Sequence, residues 1–386
     1  MVKILPTLVT ISLSLSVVFA HGLHDVEKRA ELVCPTVYAP VAPGAYPALD
    51  CTPFTQDPQV QAWLKLVDFT KTPNYPRSNN GECPPPQDVA NIPKDHYWWT
   101  CQKTEAPDDV VVCPKVGTWG LTYDDGPSPD SPRLYDVLKQ HNTKATLFIV
   151  GSRAISYPTV LKRAYDEGHQ IAIHTWSHAK VTGLTNEQIV AELKWTEKAI
   201  FDVIGVSPIY WRPPYGDVDS RVRNIATQLG FKTAIWTQGF DTNDWNIPAL
   251  ATPETIVATF KTWLVKIPTM NTGFIVLEHD VLPEEVDVAV NGILPIAYAT
   301  KGLTMEPIAQ CLNDPKPYKE GAGTFKLLPS SGGNNGATGT NGTTSPTVVS
   351  GDGKKTSAAA GSAFAVNASV LMAGVSMALA AMVSVC

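Results

Sequence analysis

Five short segments of the chain are rich in ionisable and aromatic side chains, and each comes after an apolar run. They are Asp124-Asp125-Gly126-Pro127, His174-Thr175-Trp176-Ser177-His178, Arg212-Pro213-Pro214-Tyr215-Gly216, Asp241-Thr242-Asn243-Asp244-Trp245 and His279-Asp280. A single Asp-Gly pair would indicate only a turn. Because five segments occupy equivalent positions, they predict one common functional site.

Two histidines and a carboxylate of this set could hold a metal ion. His174 and His178 are four residues apart, so both can point the same way from one helical turn. With a carboxylate they would supply three ligands and leave one position open to water. The spacing alone is weak, because two exposed or two core histidines give the same pattern. The Asp124-Asp125 pair strengthens the metal interpretation.

The other ionisable residues could perform acid and base chemistry beside such a metal. Where a strand turns into a loop, one aspartate of an adjacent pair can bind the metal while the other acts as base toward water. Arg212 would keep that base ionised. His279 is the natural acid for a leaving group, and Asp244 would raise its pKa. The set predicts metal-assisted hydrolysis.

The elements that position these residues follow from the apolar pattern. Runs rich in β-branched and aromatic residues predict strands at Thr118–Tyr123, Ala145–Val150, Gln170–Ile173, Ile209–Arg212, Thr233–Trp236 and Gly273–Leu277. Helix starts between them lie at Ser131-Pro132, Thr185 with Gln188, Ser220 and Thr252-Pro253. Repeated β-α units predict a parallel sheet, either doubly wound or closed. No GxGxxG or P-loop follows the first strand, and the number of units favours a small (β/α) barrel with its chemistry at the strand C-termini.

Composition excludes several classes of protein. The chain has 386 residues, of which 44% are hydrophobic and 17% charged, which is typical of a globular protein. Its net charge of −6 argues against a nucleic-acid binder. With 32 prolines it needs many turns, which argues against a helical bundle.

The two ends of the chain resemble processing signals, and we do not expect them to belong to the folded domain. Residues 1–20 resemble a secretory signal, with Lys3, an apolar run too short for a membrane helix, and a small-residue cleavage site at Ala20. The Lys28-Arg29 pair is either a second proteolytic cleavage site or simply two exposed charged residues. Residues 312–362 predict a Ser/Gly/Thr-rich linker, and residues 363–386 a GPI-attachment signal that is removed. A tail-anchored helix is the alternative. We therefore expect a secreted protein held at the cell membrane or in the cell wall.

The cysteines predict disulfides. Six remain once Cys386 leaves with the tail, which gives three bonds and 15 pairings. Four of the six lie in the Pro-rich segment 21–113, which we interpret as an irregular, disulfide-stapled extension. Cys113 and Cys311 flank the regular region 114–311, so a bond between them would close its two ends.

In their order along the chain, the five segments resemble the motifs of the polysaccharide deacetylase family, also called carbohydrate esterase family four or the NodB-homology domain. The resemblance covers about residues 114–305 and includes Leu277-Glu278-His279-Asp280 as the fifth motif. Tyr123 stands where the first motif often has Phe. The extension, linker and tail look like those of fungal chitin deacetylases.

The resemblance implies a distorted (β/α)7 barrel and a divalent metal, usually Zn²⁺, with Co²⁺ as a substitute. The implied metal ligands are Asp125, His174 and His178. The implied catalytic residues are the base Asp124, its partner Arg212, the acid His279 and its partner Asp244. The implied substrate-binding residues are Tyr215, through its backbone N–H, and Trp245 and Leu277, around the acetyl methyl group. Asp241 belongs to the fourth motif without an assigned role.

The resemblance also implies the substrate. Chitin or N-acetylglucosamine oligomers would be hydrolysed to chitosan and acetate in cell-wall remodelling by a monomeric enzyme. Acetyl-xylan and peptidoglycan are alternative substrates. A non-catalytic glycan-binding or structural protein of the wall is the alternative from a different class, since fold alone does not determine function.

Overall fold

The computed structural model describes Cys34, Ala42 and residues 44–326. These residues fall within one compact unit, Met1–Ser330, and a second unit, Ser331–Cys386, lies outside them. The predicted signal peptide and attachment signal also lie outside the described residues, as does the predicted linker beyond residue 326. Within the described part of the chain, no helix has both the length and the hydropathy needed to cross a membrane.

Eight short strands form the centre of the fold. They are β1 Thr118–Gly120, β2 Thr122–Asp124, β3 Thr146–Ile149, β4 Gln170–Ile173, β5 Tyr210–Trp211, β6 Lys232–Thr233, β7 Phe274–Ile275 and β8 Thr304–Glu306. One sheet has the order β2-β3-β4-β5-β6 and the other β7-β1-β8, and every pairing of these strands is parallel.

The two sheets close into a distorted barrel. Only Leu121 separates β1 from β2, so one continuous stretch of chain belongs to both sheets. On the same side, a parallel bridge pairs Asp124 at the end of β2 with His279 after β7. On the other side, a parallel bridge pairs Asp241, which follows β6, with Leu277. The predicted α/β barrel is therefore confirmed. Strand β8, which pairs with β1, was not predicted.

The described residues contain twelve α-helices. They are α1 Pro58–Leu64, α2 Pro86–Val89, α3 Trp99–Gln102, α4 Ser131–Gln140, α5 Gly151–Ser156, α6 Pro158–Asp166, α7 Asn186–Ile204, α8 Ser220–Gln228, α9 Pro253–Lys266, α10 Pro283–Val288, α11 Leu294–Ala299 and α12 Ile308–Cys311. The predicted capping box at Thr185 and Gln188 begins α7, and Thr252 caps α9. Ser131 is the first residue of α4 and not its cap, which is Asp130.

Burial explains why polar chemistry is confined to the strand ends. Every residue of β3 and β4 is buried, as expected for parallel strands covered by helices on one face and by the barrel interior on the other. Ionisable side chains can reach solvent and substrate only where a strand gives way to a loop. This places the five predicted segments at one rim of the barrel.

The packed region continues past the predicted boundary at residue 311. Tyr318 is 2% exposed, and its hydroxyl accepts a hydrogen bond from the backbone of Ile171 in β4 at 3.0 Å. Phe325 is also buried. Because these two aromatic side chains are buried against the barrel, residues 312–326 belong to the folded unit and not to the predicted linker.

Three disulfides are present in the described residues, as predicted. Two are local to the extension, Cys34–Cys51 and Cys83–Cys101, and the third joins Cys113 to Cys311 across 198 residues. The third bond therefore ties the start of β1 to the end of α12, and closes the barrel region as expected.

Removal of the long-range disulfide should destabilise the fold more than removal of a local one. Loop-closure entropy predicts a loss of about 5 kcal/mol for Cys113→Ala with Cys311→Ala, against about 3 kcal/mol for Cys83→Ala with Cys101→Ala. Denaturant unfolding of the two double variants measures both losses. An equal or smaller loss for the Cys113–Cys311 pair would contradict the prediction.

Candidate active site

The three predicted metal ligands converge at the ends of β2 and β4. Potential ligand atoms of Asp125, His174 and His178 all lie within 4.8 Å of one another. Asp125 Oδ1 is 3.2 Å from His174 Nε2 and 3.1 Å from His178 Nε2. The loops after β2 and β4 thus bring together residues that are up to 53 positions apart in sequence.

The donor set fits a divalent cation. His174 Nδ1 lies 2.8 Å from the carbonyl oxygen of Arg212, so Nδ1 carries the proton and the Nε2 lone pair faces Asp125. Asp125 Oδ1 is buried and has no hydrogen-bond partner within the described ranges. Electron pairs directed at one point repel each other unless a cation lies between them. One carboxylate and two imidazoles are ligands that Zn²⁺ and similar divalent ions accept.

A buried glutamate shapes the turn that carries both histidines. The turn is not helical as the spacing predicted, because Thr175 and His178 have positive φ angles of 64° and 59°. Glu192 of α7 is fully buried, and its Oε2 accepts hydrogen bonds from the backbone N–H groups of Trp176 and Ser177, both at 2.8 Å. Sequence reasoning missed Glu192. The available signal was an acidic residue between the apolar positions of an amphipathic helix.

Glu192→Gln should weaken metal binding about 10- to 100-fold, since residues that orient metal ligands have effects of that size. The amide keeps only one acceptor oxygen, so it cannot reproduce the bonds that Glu192 makes on both oxygens. The Ser177 hydroxyl donates to the second oxygen at 2.5 Å. Titration of metal-free protein with Zn²⁺ against a competing chelator measures the affinity.

The matched control for this test is Glu197→Gln. Glu197 is a second buried glutamate on α7, but it pairs with Lys194 and Lys319 instead of the turn. Its replacement should leave the Zn²⁺ affinity unchanged. Equal affinities for wild type and Glu192→Gln would count against an orienting role for Glu192.

Asp124 and Arg212 form a buried ion pair beside the metal ligands. Arg212 Nη1 donates to Asp124 Oδ1 and to Thr122 Oγ1, both at 2.8 Å. The guanidinium carbon also lies 4.2 Å from the centroid of the Phe148 ring. Burial lowers the pKa of Arg212, and the neighbouring Asp124 carboxylate partly offsets this decrease. An arginine nevertheless stays charged at any physiological pH. The second oxygen of Asp124 is 4.0 Å from His174 Nε2.

His279 and Asp244 form a second buried pair on the other side of the cluster. His279 Nδ1 lies 2.7 Å from Asp244 Oδ1, and the His279 backbone N–H donates to Asp244 Oδ2 at 2.8 Å. Burial lowers the pKa of His279, but the carboxylates of Asp244, Asp125 and Glu285 together raise it more, so the net pKa lies well above the ordinary value. The imidazole is therefore held in its protonated form, with Nδ1 directed at the carboxylate.

The remaining predicted residues lie around these pairs. Tyr215 has a positive φ of 59°, and its ring centroid lies 4.7 Å from that of His178. The backbone N–H of Trp245 donates to Asp244 Oδ1 at 2.9 Å. Leu277 is buried and pairs with Asp241 across the barrel closure. Each of these residues belongs to the rim that holds the ion pairs.

Asp241 is half-buried and shares the loop with Asp244. The pKa of Asp241 is raised to about 6 by burial and by the nearby Asp244 carboxylate. The hydrogen bond from the Asn243 backbone N–H lowers this pKa but does not cancel the increase. The Asn243 N–H donates to Asp241 Oδ1 at 2.8 Å. Asp241 thus stabilises the turn that presents Asp244.

Known proteins resemble this chain in sequence. The sequence model of the polysaccharide deacetylase family matches residues 112–234. Chitin deacetylase 1 of Cryptococcus neoformans is 46% identical over 295 residues, which cover 72% of this chain and 62% of that protein. Chitin deacetylase 1 of Saccharomyces cerevisiae is 33% identical over 256 residues, which cover 65% of this chain and 76% of that protein.

A solved structure resembles the fold. The chitin deacetylase from Colletotrichum lindemuthianum matches with a TM-score of 0.50 and 28% identity over 55% of this chain and 95% of its own. The chain spans 62% of the length of the first two curated relatives that it matches. The family's sequence model and the large share of the yeast relative that is covered show that this chain belongs to the polysaccharide deacetylase family.

Proposed function

We propose that the protein is a metal-dependent chitin deacetylase, which hydrolyses the N-acetyl groups of N-acetylglucosamine residues to give chitosan and acetate. The observation that carries the proposal is the arrangement of three potential metal ligands with a buried Asp–Arg pair on one side and a buried His–Asp pair on the other. A carboxylate that can act as base and an imidazole that can act as acid, on either side of one point, suit amide hydrolysis. The relatives named above, all called chitin deacetylases, support the choice of substrate.

Asp125, His174 and His178 would hold the ion, for which Zn²⁺ is our proposal. When bound, the ion supplies Lewis acidity to the acyl carbonyl and lowers the pKa of the attacking water. The chain's own residues perform the proton transfers. Asp124, oriented by the hydrogen bond from Arg212, accepts a proton from the water as the water oxygen forms a bond to the acyl carbon. The Tyr215 backbone N–H stabilises the negative charge that develops on the acyl oxygen.

The second half of the reaction breaks the carbon–nitrogen bond. His279 donates its proton to the departing sugar nitrogen, so that the amine leaves as a neutral group. Asp244 keeps the imidazole oriented and protonated for this step. Leu277 and Trp245 are proposed to contact the acetyl methyl group, since both have apolar side chains and flank His279 and Asp244 in the chain.

The proposed setting is outside the cell. Three disulfides are typical of proteins from oxidising compartments. We propose secretion followed by GPI attachment, so that a monomeric barrel preceded by residues 21–113 acts on chitin at the membrane or in the wall.

Acetate release by the full chain from N-acetylglucosamine oligomers and glycol-chitin tests the proposed function. We expect release that a chelator abolishes and added Zn²⁺ restores. Acetyl-xylan and peptidoglycan serve as competing substrates, and faster release from either would redirect the assignment. No release from any glycan by metal-loaded, folded protein would instead favour a non-catalytic wall protein.

A further inference from the structure

The loop that carries Tyr215 has an unusual backbone. Tyr215 and Gly216 have consecutive positive φ angles of 59° and 65°. The left-handed region is unfavourable for a residue with a Cβ atom, so Tyr215 keeps this conformation only where its surroundings impose it. The proposed oxyanion donor therefore depends on contacts from outside its own loop.

Asp217 supplies the densest of those contacts. Its carboxylate is 0% exposed and lies two residues after Tyr215. Oδ1 accepts hydrogen bonds from Trp98 Nε1 and Thr100 Oγ1, both at 3.1 Å. Oδ2 accepts from the Thr182 backbone N–H at 2.9 Å, and the Thr182 hydroxyl lies within 2.9 Å of both oxygens. One buried carboxylate thus joins three separate segments.

Two of those segments are not part of the barrel motifs. Trp98 and Thr100 belong to the extension, and the Thr100 hydroxyl also donates to the Gly216 carbonyl at 3.2 Å. Thr182 follows the turn of the two histidines. Its hydroxyl is 2.6 Å from that of Ser78, which is also in the extension. The Cys83–Cys101 disulfide links the part of the extension that contains Ser78, which contacts Thr182, to the part that contains Trp98 and Thr100, which contact Asp217.

The extension also packs directly on the loop. A Cβ atom added to Gly216 would lie 2.7 Å from Trp99 Cδ1, so only glycine fits against that ring. The Trp99 backbone N–H donates to the Val218 carbonyl at 3.0 Å. Residues on both sides of Asp217 are therefore held by the extension as well.

We propose that Asp217 is a positioning residue that couples the N-terminal extension to the Tyr215 loop, so that the extension forms part of the catalytic unit. The role rests on the proposed function, in which the Tyr215 backbone N–H stabilises the oxyanion. Asp217 acts through the loop and does not touch the substrate. Its loss should therefore reduce transition-state stabilisation more than substrate binding.

The test compares three single variants of the full chain. Asp217→Asn keeps the shape of the side chain but presents an amide N–H where the carboxylate accepted hydrogen bonds on both oxygens. Trp98→Phe removes one donor from the extension. Asp219→Asn is the matched control, because Asp219 is equally buried and also lies near the extension, with its Oδ2 3.4 Å from His96 Nε2, but it caps α8 through the Val222 N–H at 2.8 Å.

We expect Asp217→Asn to lower kcat about 10- to 100-fold with KM changed less than about threefold, and Trp98→Phe to lower kcat by up to about tenfold. Hydrogen exchange followed by mass spectrometry should show faster exchange for the peptide that spans residues 213–219 in Asp217→Asn. Asp219→Asn should retain the wild-type kcat per folded molecule.

An unchanged kcat or unchanged exchange in Asp217→Asn would overturn the positioning role, as would an equal loss of kcat in Asp219→Asn. These outcomes are distinguishable from failure of the proposed function. If wild type released no acetate from any glycan, the proposed function would fail, while the exchange measurement would still decide whether Asp217 holds the loop.

Discussion

Replacement of Asp124 by Asn is expected to lower kcat for acetate release about 10²- to 10⁴-fold, the contribution typical of a general base. An amide cannot accept the proton of the attacking water. The buried Arg212 also loses the carboxylate that its Nη1 contacts at 2.8 Å, which leaves a buried charge without its anionic partner. Asp125, His174 and His178 are unchanged, so bound metal should remain. Steady-state kinetics together with metal analysis of the same sample check both parts.

The matched control for Asp124→Asn is Asp109→Asn. Asp109 also forms a buried pair with an arginine, since Arg223 donates to both of its oxygens at 2.8 Å. This variant should lose comparable stability but retain kcat, because Asp109 is not a site residue. A kcat in metal-loaded Asp124→Asn within tenfold of wild type would exclude Asp124 as the base.

Replacement of His279 by Gln is expected to lower kcat about 10²- to 10⁴-fold as well. The leaving nitrogen of an amide must be protonated before it departs, and glutamine cannot donate a titratable proton. Metal content should be unaffected, since His279 is not one of the three ligands. Substrates with a better leaving group than a sugar amine, such as O-acetyl esters, should lose less activity, because their departure depends less on an acid. An equal loss for esters and amides would contradict the role.

The Asp244→Asn variant tests the role of His279 as the acid through the pH dependence of kcat. Burial lowers the pKa of His279 and Asp244 raises it, with a net value well above the ordinary one. The protonated form acts as the acid, so activity persists below this pKa and is lost as the pH rises through it. Without the carboxylate the pKa of His279 falls. The alkaline limb of the kcat–pH profile should therefore move to lower pH, while the acid limb serves as an internal reference. An unmoved alkaline limb would assign it to another group.

Local sequence patterns determined much of the architecture. The six apolar runs marked seven of the eight strands. Four runs gave β3, β4, β5 and β7 with near-correct bounds, one run is split into β1 and β2, and one run begins one residue after the start of β6. Capping residues at Thr185 and Thr252 marked two helix starts. These features depend on hydrogen bonds and side-chain faces within a few residues, which is why a sequence alone can display them. Strand β8 was missed because its three residues, one exposed and two half-buried, do not form an apolar run.

The motif order also predicted which residues would gather at one rim. Parallel strands bring their C-terminal ends to one edge whatever the loops between them do, so segments that follow strands converge without knowledge of loop structure. This reasoning depends on sheet topology and not on side-chain detail. The chemical roles came from the resemblance of those segments to family motifs, and they remain predictions.

Tertiary structure alone decided the contacts that hold the site in shape. The sequence left 15 disulfide pairings open, and only the fold brings Cys113 within bonding distance of Cys311. Glu192 and Asp217 lie outside every charged cluster used for prediction, yet each accepts several hydrogen bonds from distant segments. Their roles depend on burial beside donors that are 15 to 119 positions away, from the backbone N–H of Ser177 to the indole N–H of Trp98. Local composition carries no signal of such long-range neighbours, because they are set by how the packed elements meet.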